Sequence, residues 1–269
     1  MTNLQSLPRP KQTIAPTSIR DFMITPASLH RSTSLLILGL AFTAGTARAQ
    51  DIRWREPQPI TGIKDISQHG TYVDAIQCYA GADWGNAGAP ASTLTIGDTI
   101  FHTVKVGKES CDDGKMISFA LTKGQLYFTS GNNPATGWNL FPTGSPSSSD
   151  YSSVVSSGVY ISSGDPNGTV TFSQLQTGHT YEVQVWAFVQ DGDHGLTTLS
   201  GKAPVTLDNL AGNPPASGPL PAGSYGQYVI GTFTATGSTE KFDWSCGGGS
   251  YALISSIALR DTSDPSATP

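Results

Sequence analysis

Two stretches of this chain set tryptophan rings among amides. Trp84 lies beside Asn86 in GADWGNAGAP, and Trp138 lies with Asn132, Asn133 and Asn139 in GNNPATGWNL. A flat ring presented to solvent stacks on the apolar C–H face of a sugar, while neighbouring amides bond its hydroxyls. Trp84, Asn86, Asn133, Trp138 and Asn139 are therefore the candidate ligand-binding set, and the chemistry is glycan contact without bond cleavage. The competing reading is that each ring folds back to cap the core, because an exposed ring forfeits burial worth ~2–3 kcal/mol.

Other reactive types are scattered. Glycoside hydrolysis generally needs two carboxylates at a fixed separation, and Glu56, Glu109, Glu182 and Glu240 show no pairing. The G-x-S-x-G nucleophile elbow is absent, and His69, His102, His179 and His194 lack H-E-x-x-H spacing. The expectation is a non-catalytic protein. Asp191 and Asp193, with the carbonyls of Gly192 and Gly195, offer oxygen ligands of the kind Ca²⁺ takes; Asp112-Asp113-Gly114 is a second acidic turn. Both also read as solvated turns in which Asp and Gly satisfy backbone geometry.

Cysteines number three: Cys78, Cys111 and Cys246. In an exported chain one disulfide is expected, with one thiol left over. Early and late strands often neighbour each other in a sandwich, which favours Cys78–Cys246. Cys78–Cys111 is the alternative.

The segments that position these residues are strands. TYEVQVWAFVQ, from Thr180 to Gln190, alternates Tyr181, Val183, Val185, Ala187 and Val189 on one face with Glu182, Gln184, Trp186 and Phe188 on the other. Trp186 and Trp244 are assigned to the core. Thr71–Ala80, Leu94–Phe101 turning at Gly97-Asp98, Ser118–Leu121, Gln125–Thr129, Thr169–Phe172, Ala203–Leu207, Tyr228–Ala235, Glu240–Trp244 and Tyr251–Arg260 are further strands. Tyr151–Tyr160 is the one helix candidate, with Asp150 as its cap. Many strands between turn clusters give an all-β protein, an antiparallel jelly-roll sandwich with at most one short helix.

Composition agrees. The chain has 269 residues, 30 of them Gly and 18 Pro, and only 13% are charged. Residues 1–49 read as an export signal: Arg20 and Arg31 precede a short apolar run from Ser34, and Ala47-Arg48-Ala49 is a cleavage site. Translation from Met23 would give a signal of more usual length. Residues 50–260 form one domain and 261–269 a polar tail. Without residues 1–49 the chain keeps 10 basic and 19 acidic residues, a net charge of about −9 with no basic patch. That balance speaks against nucleic-acid binding, and no later apolar stretch reaches membrane-spanning length. A secreted, periplasmic or cell-surface location follows from the export signal.

Four segments carry a family resemblance: ITGIKDIS…GTYVDAIQ…TLTIGDTIF within Ile60–Phe101, T-x-x-x-L-x-x-G-H-T-Y-E-V-Q-V-W at Thr171–Trp186, YVIGTFTA at Tyr228–Ala235, and the last apolar strand ending Leu259-Arg260. Together they resemble secreted bacterial galactose-binding-like β-sandwich domains, of carbohydrate-binding-module or malectin-like jelly-roll type. The resemblance implies a polysaccharide or cell-surface glycan as partner, sugar contacts in end loops, and a structural Ca²⁺ as the cofactor such modules often carry. The loop after Trp186 here holds Asp191 and Asp193, but no arginine follows. An extracellular structural or adhesion domain without a small ligand is the alternative function; a glycan-active enzyme comes third.

Overall fold

The computed structural model describes residues 51–79, 93–105, 110–112, 114–121, 127–130, 150–151, 153–155, 157–165, 167–188, 195–209, 226–249 and 251–263. All fall in one compact unit, Gly45–Pro269. Their regular structure is nearly all strand, as the period-two patterns require. Among them no helix is long and apolar enough to cross a membrane.

One sheet has eight strands. Its centre is β11 (Thr180–Ala187), flanked by β14 (Gln227–Thr234) and β17 (Ser256–Asp261). β3 (Thr71–Tyr79), β5 (Thr99–Lys105) and β4 (Thr93–Ile96) follow beyond β17, and the short β1 (Arg53–Trp54) and β2 (Gln58–Pro59) pair with β14. Pairing is antiparallel except between β3 and β5, which run parallel. The second sheet has six strands in the order β13 (Val205–Asp208), β12 (Gly195–Leu199), β15 (Glu240–Gly249), β10 (Gly168–Phe172), β7 (Ile117–Leu121) and β6 (Ser110–Asp112). A third, of β16 (Tyr251–Ile254), β9 (Ser157–Ser162) and β8 (Tyr127–Ser130), is joined to the first where β16 passes through Ser255 into β17.

The two larger sheets face each other across the main core. Val183, Val185, Val229, Ile257 and Ile76 of the first sheet pack with Phe119, Val170, Phe172, Phe242 and Trp244 of the second. Phe172 and Phe233 stack across the gap at 5.8 Å, and Trp54 meets Phe242 edge-on at 5.4 Å. A Cβ on Gly168 would collide with the indole of Trp244, so β10 can pass that ring only as glycine. Gly97 opens the two-residue turn between β4 and β5 with φ 63°, the sign that a type II′ hairpin demands of its first residue.

Register defines two ends of the eight-stranded sheet. Gln58, Tyr228, Trp186, Ser256, Gln77 and Thr103 stand in one row at the upper end. Phe233, Tyr181, Asp261 and Thr71 mark the lower end. The chain enters β1 and leaves β17 at the lower end.

Several sequence expectations need correction. The helix candidate Tyr151–Tyr160 is cut short: helix α1 is described at 150–151 and 153–155, and the residues from Ser157 form β9. Residues 195–199 and Ser110–Asp112, not assigned to strands from the sequence, form β12 and β6. β15 runs on to Gly249, past the Trp244 at which the sequence pattern ends that strand, so Cys246 lies on it. The disulfide joins Cys78 to Cys111, not to Cys246, which is free. The reason is topological: Cys78 on β3 and Cys111 on β6 are both buried, whereas β10 and β7 separate β15 from β6.

Trp186 is fully buried, on the outer face of β11 rather than in the main core. Its ring packs edge-on against Phe101 at 5.8 Å. Trp186→Ala should destabilise the protein by ~3–5 kcal/mol, the range for truncating a buried aromatic, measured by urea unfolding. Titration of the urea-unfolded, unreduced protein with a thiol reagent should find one thiol, and Cys246→Ala should abolish it.

Candidate functional site

A sheet face that meets water keeps polar side chains cheaply; a covered face must give each one a partner. The outer face of β11 presents Glu182, Gln184 and Trp186, and all three are buried. Their cover is an aperiodic strap, residues 60–70, together with α1. Ile60 and Ile66 of the strap join Tyr151, Val154 and Val155 of α1 in a second apolar cluster with Trp186, Phe101 and Ala75.

Gln184 ties the strap down through backbone. Its Nε2 donates to the Asp65 carbonyl at 2.6 Å, and its Oε1 accepts from the Ser67 amide at 3.0 Å. Asp65 closes the strap on itself and on α1. Its carboxylate accepts from Thr61 N (2.6 Å), Thr61 Oγ1 (2.5 Å), Gly62 N (2.9 Å) and Tyr151 Oη (2.9 Å). Tyr151 Oη in turn accepts from Trp186 Nε1 at 3.2 Å. Burial, then the Asp65 charge and hydrogen bond, pushes the Tyr151 phenol well above its ordinary range, so it stays a donor. Burial, then the Asp65 charge, raises Tyr228 as well.

Glu182 lies lower on the face. It accepts from Ser67 Oγ, from Arg55 Nη2 at 3.4 Å, and meets His69 Nδ1 at 3.4 Å. The carboxylate is 2% exposed while Arg55 and His69 are 60% and 64% exposed, so the cluster is a buried acid under a wet rim. Arg260, next to it on β17, donates to the carbonyls of His69 (3.2 Å) and Gly70 (2.8 Å) and to both oxygens of Asp98. The Arg260 hydrogen bond, more than its charge, holds Asp98 below the usual carboxylate range.

Ser67, His69 and Glu182 are the residue types of a hydrolase triad in a different wiring. A nucleophile must hand its proton to the imidazole; here Ser67 Oγ donates to Glu182, and His69 meets the same carboxylate. Asp65 has four protein donors. The two carboxylates therefore act as anchors for the strap. Sequence reasoning missed this cluster; its signal was Glu182 and Gln184 beside Trp186 on the second face of an otherwise apolar strand.

Trp84, Asn86, Asn133, Trp138 and Asn139 lie outside the described residues, as do Asp191 and Asp193. No group of three or more His, Cys, Asp or Glu among the described residues could hold a metal ion. Trp186 and Trp244 are both buried as the sequence suggests.

No family model matches the chain, and no curated protein matches it. Solved structures with some likeness include an exo-β-1,3-galactanase from Phanerochaete chrysosporium with galactose, and a variant of that enzyme with β-1,3-galactotriose. Each is 14% identical, with a TM-score of 0.28, over 62% of this chain and 32% of the other. This chain thus spans about a third of their length, and likeness at that level carries no argument about function.

His179, at the turn before β11, joins the lower end. Its Nδ1 lies 2.6 Å from Asp261 Oδ2, and Asp261 Oδ1 accepts from Ser263 N at 2.9 Å. Burial alone would raise the Asp261 carboxyl; the His179 and Ser263 bonds outweigh it and leave it below its ordinary range. A carboxyl lowered by folding stabilises above its unfolded pKa and loses that contribution as pH falls through the folded one. Asp261→Asn should therefore cost about 1 kcal/mol at neutral pH, allowing for the exposure of His179. The difference should shrink below about pH 4 and vanish in stronger acid, measured by urea unfolding across pH.

Proposed function

We propose that this is an exported, non-catalytic carbohydrate-binding module, contacting a polysaccharide or cell-surface glycan through Trp84 and Trp138 with Asn86, Asn133 and Asn139. One observation carries the reading: the segments bearing these residues are anchored at one end of the sandwich. Segment 80–92 leaves β3 just past the upper row and returns at Thr93, which pairs with His102 beside that row. Segment 131–149 leaves β8 where it pairs with β9, itself paired with the end of β16 that feeds the upper end of β17. It returns at α1, whose Ser153 and Val154 carbonyls accept from Gln77 and Ser256 of the upper row. Segment 189–194, with Asp191 and Asp193, leaves β11 there too. Convergence of loops at one end of a rigid scaffold is the arrangement in which loops carry binding.

The other tryptophans support the assignment by being occupied. Trp186 and Trp244 are buried, and Trp54 Nε1 donates to the Ser200 carbonyl at 2.9 Å with its ring on Phe242. A Ca²⁺ held by Asp191 and Asp193 belongs to the same proposal as a structural ion steadying the same end.

Affinity electrophoresis through a panel of soluble polysaccharides tests the reading. Retardation in at least one gel is expected, reduced at least tenfold in affinity by Trp84→Ala or Trp138→Ala with the melting temperature nearly unchanged. Free migration of the parent protein in every gel would favour a structural or adhesion domain instead.

A further inference from the structure

We infer that Asn167 is a self-modification site: its side-chain amide is exchanged for water, and the isoaspartate that results loosens β10. The Gly168 amide nitrogen attacks the side-chain carbonyl carbon of Asn167 and forms a new C–N bond. The bond from that carbon to its NH2 group breaks. Ammonia leaves with the proton lost by the Gly168 nitrogen, and a five-membered succinimide remains. Water then opens the ring at either carbonyl. Opening at the side-chain carbonyl gives aspartate on an ordinary main chain. Opening at the main-chain carbonyl routes the chain through Cβ and Cγ, which gives isoaspartate and lengthens the main chain by one carbon. Nothing is oxidised or reduced, and water is the only co-reactant.

Of the asparagines in the chain, only Asn167 precedes a glycine. Asn133 and Asn213 precede proline, whose nitrogen has no proton to lose. The others precede residues whose side chains crowd the attacking nitrogen. Asn209 is also buried, and its Oδ1 accepts from the Gly195 amide at 2.9 Å, which holds its carboxamide still. Asn167 is exposed, and among the described residues no group holds its carboxamide. Gly168 is imposed by the core: a Cβ there would come within 2.3 Å of Trp244 Nε1. The packing that demands glycine beneath Trp244 thus leaves the attacking nitrogen unshielded. Gly168 is also the first residue of β10, and strand ends open more readily than strand centres.

The added carbon enters a short connection fixed at both ends. β9 ends at Ser162, and a turn follows in which Asp165 N donates to the Ser162 carbonyl (2.9 Å) and Ser162 N to Asp165 Oδ2 (2.8 Å). On the other side Gly168 pairs with both Trp244 and Leu121, and Thr169 Oγ1 donates to Asp243 Oδ1 at 2.7 Å. A longer main chain displaces the turn or the start of β10, the strand that carries Val170 and Phe172 into the main core. Aspartate at the same exposed position leaves the main chain as it was.

Ageing the full chain in mildly alkaline buffer, followed by peptide mapping, tests this. The peptide containing Asn167 and Gly168 should gain the mass of OH replacing NH2 and accept methyl groups from an isoaspartyl methyltransferase, ahead of every other asparagine peptide. The aged protein, separated by its added negative charge, should melt lower than the parent by about 2 °C or more. Asn167→Asp, which carries the charge on an unaltered main chain, should melt with the parent. Asn167→Ser should show neither isoaspartate nor the slow fall in melting temperature. A synthetic peptide of residues 162–172 is the control for the chemistry: a folded chain that stays unconverted after the peptide has converted overturns the proposal. So does an isoaspartate form that melts with the parent, or an Asn167→Ser protein whose melting temperature falls on ageing as the parent's does.

Discussion

A strand buried on both sides cannot leave a polar side chain without a partner, and β11 is such a strand. Its inner face supplies valines to the sandwich core; its outer face supplies Glu182 and Gln184, which need donors and acceptors inside the protein. Much of the remaining architecture answers that need. The strap brings backbone N–H and C=O groups to Gln184, and brings Ser67 and His69 to Glu182. Asp65 then holds the strap in shape and reaches α1 through Tyr151. An apolar face could have been covered by any hydrophobic segment; this one accepts only a cover whose polar groups are in register with it.

That requirement links the two ends of the molecule. Tyr151 receives the indole N–H of Trp186 from the upper row, while Arg260 gathers His69, Gly70 and Asp98 towards the lower end. The strap therefore runs the length of the sheet and fixes α1 at the end where the long connecting segments are rooted. The parallel pairing of β3 and β5 adds to this arrangement. Two neighbouring parallel strands finish at the same end, so the chain after each must start there, and the excursion 80–92 with the β4 hairpin is the crossover between them.

Much of this was legible in the sequence where side-chain period carries the information. The alternation of Tyr181, Val183 and Val185 against Glu182 and Gln184, the Gly97-Asp98 turn and the run Tyr228–Ala235 each fix a strand by local chemistry. The strap has no period, so nothing local reveals that Asp65 and Ser67 lie on Gln184, well over a hundred residues away in the chain. β12 was hidden because Gly195-Leu-Thr-Thr-Leu sets only two apolar side chains on the strand, and its bulge against β15 breaks the register. The disulfide depended on which strands are neighbours in space, which strand order along the chain does not determine. The candidate glycan residues stand on sequence alone, since they lie outside the described residues; what the structure adds is the common end at which their segments are rooted.

The chain enters β1 and leaves β17 at the lower end of the same sheet, with β14 and β11 between them. Tension applied between those two points runs across the strands rather than along them. Hydrogen bonds loaded in that direction open one after another, whereas a shearing load must break a whole ladder at once. The two-residue pairing of β1 would peel first and draw on Arg55 before any central strand carries force. Mechanically, the domain is a zipper that yields from its edge, and the upper end bears none of the load until the edge has opened.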